Sequence, residues 1–338
     1  MIKLSRDIGI DLGTANVLVY LDGRGIVVNE PSAVALDKNT GKVLEVGAAA
    51  KKMMGRTPGN IVAARPLERG AISDYDMTAT MLSVYLRRIT KMSLVKPRVV
   101  VSVPSGITEV EERAVIQATM EAGARRVYLL EEPLAAAIGA GMNIKGAGGS
   151  MVIDIGGGTT DIAVLSLNNV VRSTSIDAAG DAFDNAIIQY IRERYQVLVG
   201  NQTAEEIKMA IGCVNPRPEA LVMTVKGRNL SSGLPQEVDV TSVDVMHALT
   251  TPCRDILYAV RTILEKTDPE LVADISKNGI TLTGGGSLLY GFDQLIYRST
   301  GIACHVADDA ILCVALGCGK ALKWIDEMQE GTVNFARQ

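Results

Sequence analysis

The chain has 338 residues, 47% of them hydrophobic, which is enough to bury large cores and favours two domains over one. Its 34 lysines and arginines nearly balance 38 aspartates and glutamates, so the net charge of −4 creates no overall attraction to nucleic acid, and we expect no nucleic-acid partner. The 5 cysteines form no C-x-x-C pair and, with 2 histidines, offer no zinc-ligand spacing, which fits a reduced, cytoplasmic chain. No apolar run approaches the ~20 residues of a membrane-spanning helix, and the strand-like start leaves no room for a signal peptide.

The first predicted element is a strand, a turn and a returning strand. Residues 8–12 form an apolar run that contains Asp11 near its end, Gly13 supplies the turn, and residues 17–21 return. A turn rich in Gly, Thr and Asn aims several backbone N–H groups in one direction, which suits the oxygens of a phosphate. For this segment alone, a plain tight β-turn is the simpler interpretation.

The chain then alternates between predicted strands and helices. Residues 98–103 have the pattern of a buried strand, and Thr108 with Glu111 has the capping-box spacing of a helix start. Pro133 fits the first turn of a helix predicted over residues 134–141. Such alternation predicts layered α/β domains.

A second strand-turn-strand segment repeats the first in mid-chain. Residues 151–155 and 162–167 are its predicted strands, and Asp154 stands where Asp11 stands in the first copy. A lone carboxylate at the end of a buried strand is costly unless a cation or water satisfies it. Mg²⁺ keeps several waters and takes one or two carboxylates beside substrate phosphates, so Asp11 and Asp154 are expected to hold Mg²⁺ through water.

A third glycine-rich segment follows a strand predicted over residues 280–283. In Thr283-Gly-Gly-Gly-Ser287 the glycines let the backbone approach a flat ligand, and a following helix N-terminus favours anions. Alone, it is an ordinary strand-to-helix turn. Together with the two Asp-x-Gly hairpins it predicts one wall of a nucleotide site. Further helices are predicted over residues 184–195, 242–265 and 309–328.

The motifs together resemble those of a known superfamily. Asp11-Leu-Gly-Thr14, Asp154-Ile-Gly-Gly-Gly-Thr159 and Thr283-Gly-Gly-Gly-Ser287 are similar to the two phosphate motifs and the adenosine motif of the actin, sugar-kinase and heat-shock ATPase superfamily. Within it the chain resembles the MreB-type bacterial actins (MreB/Mbl family) over nearly its whole length. The segments that carry this likeness include Gly55-Arg-Thr-Pro-Gly-Asn60, Pro104-Ser-Gly-Ile-Thr108, Glu131-Glu-Pro133, Thr203-Ala-Glu-Glu-Ile-Lys208 and Gly227-Arg-Asn229.

The resemblance implies an α/β fold of two tandem ribonuclease-H-like (actin-like) domains, each with a smaller inserted subdomain and with a nucleotide cleft between them. The expected bounds are 1–140 for domain I with an insertion at about 30–65, and 141–338 for domain II with an insertion at about 180–242 and a final helix, about 309–328, that returns toward domain I.

The resemblance also implies that ATP binds in this cleft. The residues expected to hold its phosphates are Gly13, Thr14, Ala15, Asn16, Gly157, Gly158 and Thr159. Those expected beside the adenosine are Gly284, Gly285, Gly286 and Ser287, with Glu205, Glu206, Ile207 and Lys208 on the side of the ribose and base. Thr203 and Glu206 also have capping-box spacing, which gives this last segment a purely structural interpretation.

Hydrolysis is assigned by the same likeness to Glu132, as the acid that positions the water, with Thr159 helping to hold that water. A slow ATPase coupled to filament assembly is implied, rather than a metabolic enzyme. A carboxylate at this place would also complement the N-terminus of the following helix without any catalytic role.

The likeness further implies what the protein assembles with. The expected partners are other copies of the chain in filaments, the inner face of the cytoplasmic membrane, and cell-wall elongation and membrane proteins, with control of cell shape as the outcome. The predicted membrane loop consists of Met92, Leu94 and Val95 with five flanking basic residues; the alternative is that these side chains tuck under the preceding helix. Only residues 1–6 precede the first strand, which puts attachment through an amphipathic N-terminal helix in doubt.

Two other functions use the same ATP cradle. A small-molecule kinase needs a second pocket with a general base for the acceptor hydroxyl, for which the sequence offers no motif. A chaperone-like ATPase needs a substrate-binding domain after the nucleotide domain, and the length of the chain argues against one.

Overall fold

The computed structural model describes residues 7–90 and 95–328. The strands within these residues are, in chain order, β1 (Ile8–Leu12), β2 (Asn16–Leu21), β3 (Gly25–Pro31), β4 (Val34–Asp37), β5 (Val43–Val46), β6 (Ile61–Ala64), β7 (Leu67–Glu68), β8 (Ala71–Ile72), β9 (Arg98–Val103), β10 (Arg126–Glu131), β11 (Ser150–Ile155), β12 (Thr160–Ser166), β13 (Asn169–Ile176), β14 (Val197–Leu198), β15 (Val222–Asn229), β16 (Pro235–Thr241), β17 (Ile280–Thr283) and β18 (Cys304–Val306).

The helices of the described residues are α1 (Ala48–Met53), α2 (Tyr75–Thr90), α3 (Glu109–Glu121), α4 (Glu132–Gly139), α5 (Gly180–Tyr195), α6 (Asn201–Ile211), α7 (Ser242–Ala248), α8 (Thr250–Lys266), α9 (Pro269–Asn278), α10 (Phe292–Thr300) and α11 (Cys313–Ala321). Short 3₁₀ turns cover Gly285–Leu288, Ala310–Leu312 and Leu322–Trp324. None of these helices combines the length and apolar character needed to cross a bilayer.

Two five-stranded sheets dominate the structure and have the same topology. The first has the order β3-β2-β1-β9-β10 and the second β13-β12-β11-β17-β18. In each sheet the first three strands form an antiparallel meander and the last two run parallel to the central strand. Each sheet therefore contains one of the two hairpins that repeat in the sequence, and the predicted pair of actin-like α/β units is confirmed.

Alternating side chains explain why both sheets are covered on two faces. Val99 and Val101 of β9 pack into the core of the first half, whereas Val100 between them faces the opposite side. Val152 of β11 alternates in the same way with Ile153, which packs into the core of the second half. The residues of the opposite faces meet in a third core, shared by the two sheets, α4 and α11.

Helices α4 and α11 pack through glycine. A Cβ atom added to Gly139 of α4 would collide with the backbone carbonyl of Cys313, and one added to Gly317 of α11 would collide with that of Ala135. The two helices lie between the sheets, so this backbone contact sets how closely the halves of the molecule approach.

Three small sheets complete the fold. One has the order β5-β4-β6, another β14-β15-β16, and β7 pairs with β8. The first two fall within the segments predicted as insertions. The exact domain and subdomain bounds given above stay predictions.

Three local predictions are wrong, each for a physical reason. The helix expected over residues 242–265 breaks at Leu249, which places Pro252 in the first turn of a new helix, where its missing N–H costs nothing. The helix expected over residues 309–328 is only α11 with a 3₁₀ turn at each end; Asp309 has a left-handed backbone with φ of 50°, which excludes it from a helix. Thr203 does not cap a helix, since α6 begins two residues earlier, after Gly200.

Candidate functional site

Two carboxylates stand at corresponding places in the two sheets. Asp11 lies near the end of β1 and Asp154 near the end of β11, and each has a hydroxyl partner on the neighbouring parallel strand. Thr283 donates a hydrogen bond to Asp154 Oδ1 at 2.6 Å, and Ser102 donates to Asp11 Oδ1 at 3.3 Å. The repeated topology therefore brings the two predicted metal-binding acids to one cavity, which both of them line.

Burial and mutual repulsion raise the pKa values of the acids that line this cavity. Burial, followed by the charge of Asp154, raises the pKa of Asp11 to about 7, against the opposing hydrogen bond from Ser102. Burial raises the pKa of Asp154 to about 6 despite its bond from Thr283. Burial and the charges of Asp161, Asp11 and Asp154 raise the pKa of Glu132 well above its ordinary value. A cation in this cavity would relieve the repulsion and would allow the acids to ionise.

Asp161 is a buried acid whose charge acts on the residues of the site. One of its carboxylate oxygens accepts a hydrogen bond from the backbone N–H of Ser105 at 2.8 Å, and the other is buried without a partner among the described residues. Burial, with the charge of Asp154, raises its pKa to about 7, against the opposing bond from Ser105. Asp161 does not line the cavity, so its charge acts on Glu132 through the protein.

The two predicted phosphate turns touch each other. A Cβ atom added to Gly157 would lie 2.6 Å from the Cβ of Ala15, and one added to Gly158 would lie 2.5 Å from Thr14 Oγ1. Thr14 Oγ1 also accepts a hydrogen bond from the backbone N–H of Gly70 at 3.0 Å. Only glycine permits this approach, and the contact brings the N–H groups of both turns to one place.

The third glycine-rich segment forms one wall of the cavity. Gly284 has a left-handed backbone, with φ of 79°, and its carbonyl accepts a hydrogen bond from Ser287 Oγ at 2.6 Å. Gly284, Gly285 and Gly286 line the cavity, whereas the buried Ser287 does not and instead fixes the shape of the turn. The segment continues as a 3₁₀ turn rather than the predicted helix.

Helix α6 contributes only one of its faces. Glu205 and Lys208 line the cavity, one turn apart. Their neighbours do not line the cavity, because Ile207 is buried in the core of the second half and Glu206 is exposed, with a hydrogen bond from Gln202. A contact of these two residues with the ligand stays a prediction.

The two charged cavity-lining side chains of α6 have partners of opposite charge. Lys208 pairs with Asp184 at 2.9 Å and donates to the carbonyl of Gly180 at 3.0 Å. Glu205 pairs with Lys51, from the first half of the chain, at 2.6 Å. Burial alone would raise the pKa of Glu205, but the ammonium of Lys51 with nearby cations lowers it.

The resulting cavity has a volume of about 470 Å³ and lies between the two halves. Its predicted residues are Asp11, Gly13, Thr14, Ala15, Asn16, Glu132, Asp154, Gly157, Gly158, Thr159, Glu205, Lys208, Gly284, Gly285 and Gly286. Sequence reasoning missed a further set, which is Leu18, Gly70, Gly156, Gly180, Met209, Gly212, Arg217, Leu288, Leu289, Ile311 and Val314. Gly156 belongs to a turn already singled out, but most of the others come from separate elements that only the fold brings together.

One end of this cavity is acidic and rich in glycine, and another part is lined by apolar side chains. No group of three or more His, Cys, Asp and Glu side chains within residues 7–90 and 95–328 could hold a metal ion by itself. A divalent cation at Asp11 and Asp154 would therefore depend on water and on the oxygens of a ligand. The arrangement suits a ligand with an anionic tail and a flat apolar head.

A model of the MreB/Mbl protein family matches residues 5–330. The chain belongs to this family. MreB of Escherichia coli strain K12, a cell shape-determining protein, is 49% identical over 328 residues, which cover 95% of this chain and 94% of that one. Mbl of Bacillus subtilis strain 168, also a cell shape-determining protein, is 49% identical over 325 residues, which cover 96% of this chain and 98% of that one.

A solved structure of another MreB-type protein is closely similar. The crystal structure of MreB5 of Spiroplasma citri bound to ADP superposes with a TM-score of 0.92 at 38% identity, and the alignment covers 96% of this chain and 98% of that one. The membership of the chain in the MreB/Mbl family and its actin-like fold thus agree.

The loop predicted to contact a membrane lies mostly outside the described residues. This applies to Met92 and Leu94, while Val95 is half-buried. One of the five basic residues expected to flank the loop is not available to lipid, because the guanidinium of Arg98 pairs with Asp7 at 2.7 Å and also with Asp326.

Proposed function

We propose that this chain is an ATP-dependent bacterial actin, which polymerises into membrane-associated filaments and directs cell shape. The observation that carries the proposal is the cavity between two sheets of identical topology, where a carboxylate from each sheet faces two touching glycine turns. The similarity to an ADP-bound MreB5 over nearly the whole chain supports the same ligand class here.

The phosphates of ATP bind between the two glycine turns. The turn residues Gly13 to Asn16 and Gly157 to Thr159 offer backbone N–H groups and hydroxyls from two directions. Asp11 and Asp154 would hold hydrated Mg²⁺, which when bound neutralises phosphate charge. The raised pKa values of both acids support this assignment, because a pair of carboxylates kept so close is favourable only with a cation.

Hydrolysis belongs to Glu132. Its side chain lines the cavity at the first residue of α4, and once a cation at Asp11 and Asp154 allows it to ionise, its carboxylate can accept a proton from an attacking water. Thr159 lines the same cavity and would help to hold that water. The reaction is a slow ATP hydrolysis that is coupled to filament assembly.

Relatives of 49% identity carry the name of cell shape-determining proteins, which supports the same role here, and we propose that the chain performs it by assembling with further copies of itself. The cell-wall elongation machinery and membrane proteins are the partners that this role implies. A small-molecule kinase or a chaperone-like ATPase is the alternative, but a kinase needs a general base for its acceptor hydroxyl, for which the sequence offers no motif.

The loop with Met92, Leu94 and Val95 anchors the filament to the inner face of the cytoplasmic membrane. Each buried side chain contributes about 1.5 to 3 kcal/mol before ordering costs, so one loop holds a monomer weakly and a filament with many loops binds by avidity. Co-sedimentation with anionic liposomes tests this in a Met92→Ser, Leu94→Ser variant that still forms filaments. We expect loss of lipid binding; a variant that pellets with lipid as wild type does would exclude the loop as anchor.

Calorimetric titration with Mg-ATP tests the nucleotide site. Asp154→Ala should weaken Mg-ATP binding at least about 10-fold while the protein stays folded, because removing an acid retained for the ion also removes repulsion. Unchanged affinity would contradict the assignment. An ATPase rate stimulated by a sugar or by an unfolded peptide, without sedimentable polymer, would favour one of the alternatives.

A further inference from the structure

The apolar end of the cavity leaves large hydrophobic side chains open. Met209 of α6 is 70% exposed, Leu288 is 56% exposed and Ile311 is 43% exposed, and all three line the cavity together with Leu289. It is unfavourable to expose hydrophobic side chains of this size to water on three separate elements, unless a ligand covers them. A flat, weakly polar ring fits this end, with the anionic part of the same ligand at the glycine turns.

Arg217 lies at the same end and is held rigidly. Its guanidinium carbon is 4.3 Å from the centre of the Tyr290 ring, and its Nη2 donates a hydrogen bond to the carbonyl of Gly212 at 3.0 Å. The backbone of Tyr290 is held in turn, because Val214 N–H donates to the carbonyl of Tyr290 at 3.0 Å. The guanidinium is therefore clamped against an aromatic support.

The clamped guanidinium has no described counter-ion. None of the ion pairs among residues 7–90 and 95–328 includes Arg217, and its Nε is buried without a hydrogen-bond partner. A guanidinium rarely lacks an anionic partner at the edge of an apolar pocket, because its charge and its N–H donors lose their contact with water there. The observation points to a ligand group that complements a planar cation.

We propose that Arg217 contacts the base of the bound nucleotide, with one face of its guanidinium on Tyr290 and the other stacked on the purine ring. This inference rests on the proposed function. Arg217 lines the cavity and Tyr290 does not, so the face that Tyr290 leaves uncovered is directed to the ligand side. A guanidinium suits the role because it is planar, weakly hydrated and stacks on π systems.

Stacking predicts a particular selectivity. The area of contact grows with the size of the ring, so purine nucleotides gain more from Arg217 than pyrimidine nucleotides. Stacking does not read the edge of the base, so ATP and GTP gain alike. The phosphates lie at the other end of the cavity and gain nothing from the stack.

The test compares binding of four probes in the presence of Mg²⁺: ATP, GTP, CTP and inorganic tripolyphosphate. The proteins are wild type, Arg217→Ala, Arg217→Lys and the exposed control Arg228→Ala. We expect Arg217→Ala to weaken ATP and GTP equally, by about 10-fold, CTP by less than 3-fold, and tripolyphosphate not at all. Arg217→Lys keeps the charge but not the plane, so it should resemble Arg217→Ala, whereas Arg228→Ala should match wild type.

A second variant isolates the clamp. Tyr290→Leu keeps the arginine but removes its support, and should weaken ATP several-fold with tripolyphosphate unchanged. Unchanged tripolyphosphate binding also shows that each variant is folded. Equal losses for ATP and tripolyphosphate, recovery in Arg217→Lys, a shifted ratio of ATP to GTP, or unchanged ATP binding would each overturn the inference. If wild type binds ATP, GTP and CTP no more tightly than tripolyphosphate, the site does not recognise a nucleoside. The proposed function then fails, and this inference fails with it.

Discussion

Lys51 and Glu205 form an ion pair across the cleft, with 2.6 Å between the ammonium nitrogen and the carboxylate oxygen. Lys51 belongs to the small sheet-and-helix region of the first half and Glu205 to α6 of the second. A second pair, between Arg65 and Asp181 at 2.6 Å, joins the same two halves. The cavity is thus closed by charges on opposite sides, and opening it breaks these pairs.

The first prediction concerns nucleotide release. Lys51→Ala should speed the dissociation of bound nucleotide about 2- to 5-fold, because a partly exposed ion pair contributes up to about 1 kcal/mol to the closed state. Stopped-flow displacement of a fluorescent ATP analogue measures the rate. Lys52→Ala removes the exposed neighbouring charge and is the control. Since salt screens such pairs, the difference between the variants should shrink at high ionic strength; a difference that is absent at low salt would refute the closing role.

The second prediction concerns hydrolysis. Glu132→Gln should retain nucleotide and assemble, but release phosphate at least about 10-fold more slowly, the scale expected when a general base is lost. Glu131→Gln is the matched control, since the neighbouring carboxylate accepts a hydrogen bond from Ser105 at 3.0 Å and is absent from the cavity lining. Equal rates of phosphate release in the two variants would remove Glu132 from the mechanism.

The third prediction concerns the pH dependence of stability in the absence of nucleotide and metal. The pKa of Asp154 is raised from 3.8 to about 6, and those of Asp11 and Asp161 to about 7, so between about pH 4 and pH 7 the folded state binds more protons than the unfolded state. The free energy of unfolding must then fall as the pH rises through this window.

Urea denaturation at several pH values tests this sign. Asp154→Asn should be more stable than wild type by about 1 to 3 kcal/mol at pH 8 and similar to it at pH 4, because the amide never ionises. A stability that rises with pH over this range, or the same slope in both proteins, would contradict the account of the acid cluster.

The fourth prediction concerns the contact between α4 and α11. Gly317→Ala should lower the free energy of unfolding by about 1 to 3 kcal/mol, because the new methyl group meets the carbonyl of Ala135 and forces the helices apart. Gly59→Ala, where nothing lies within 4 Å of the added carbon, is the control. Chemical denaturation compares the two, and equal stability would show that the helices separate at no cost.

Local sequence was sufficient to predict the strands and turns of the site. The strands β1 and β17 have the predicted bounds, because each is a short run with β-branched residues at alternate positions and is followed by glycine. The capping box of Thr108 and Glu111 is present at the start of α3, since both of its hydrogen bonds form within four residues. Asp11 and Asp154 share a cavity because the two sheets repeat one topology, which the repeated motif already indicated.

Contacts between distant segments could not be predicted in this way. Arg217 meets Tyr290 only through the fold, and neither residue lies in a recognisable pattern. The spacing of Thr203 and Glu206 fits a capping box. The helix nevertheless starts at Asn201, directly after Gly200, whose backbone is still extended. Arg98 was expected to face lipid, but its guanidinium is held by Asp7, which lies far away in the sequence.

Electron microscopy of the purified protein tests the central claim most directly, with ATP and Mg²⁺ in one sample and with Mg²⁺ alone in the other. The account predicts filaments with ATP and Mg²⁺ from wild type and from Glu132→Gln, and few or none from Asp154→Ala at the same protein and nucleotide concentrations. If wild type stays monomeric across conditions in which it demonstrably binds Mg-ATP, the claim that this chain is a nucleotide-dependent polymer is contradicted.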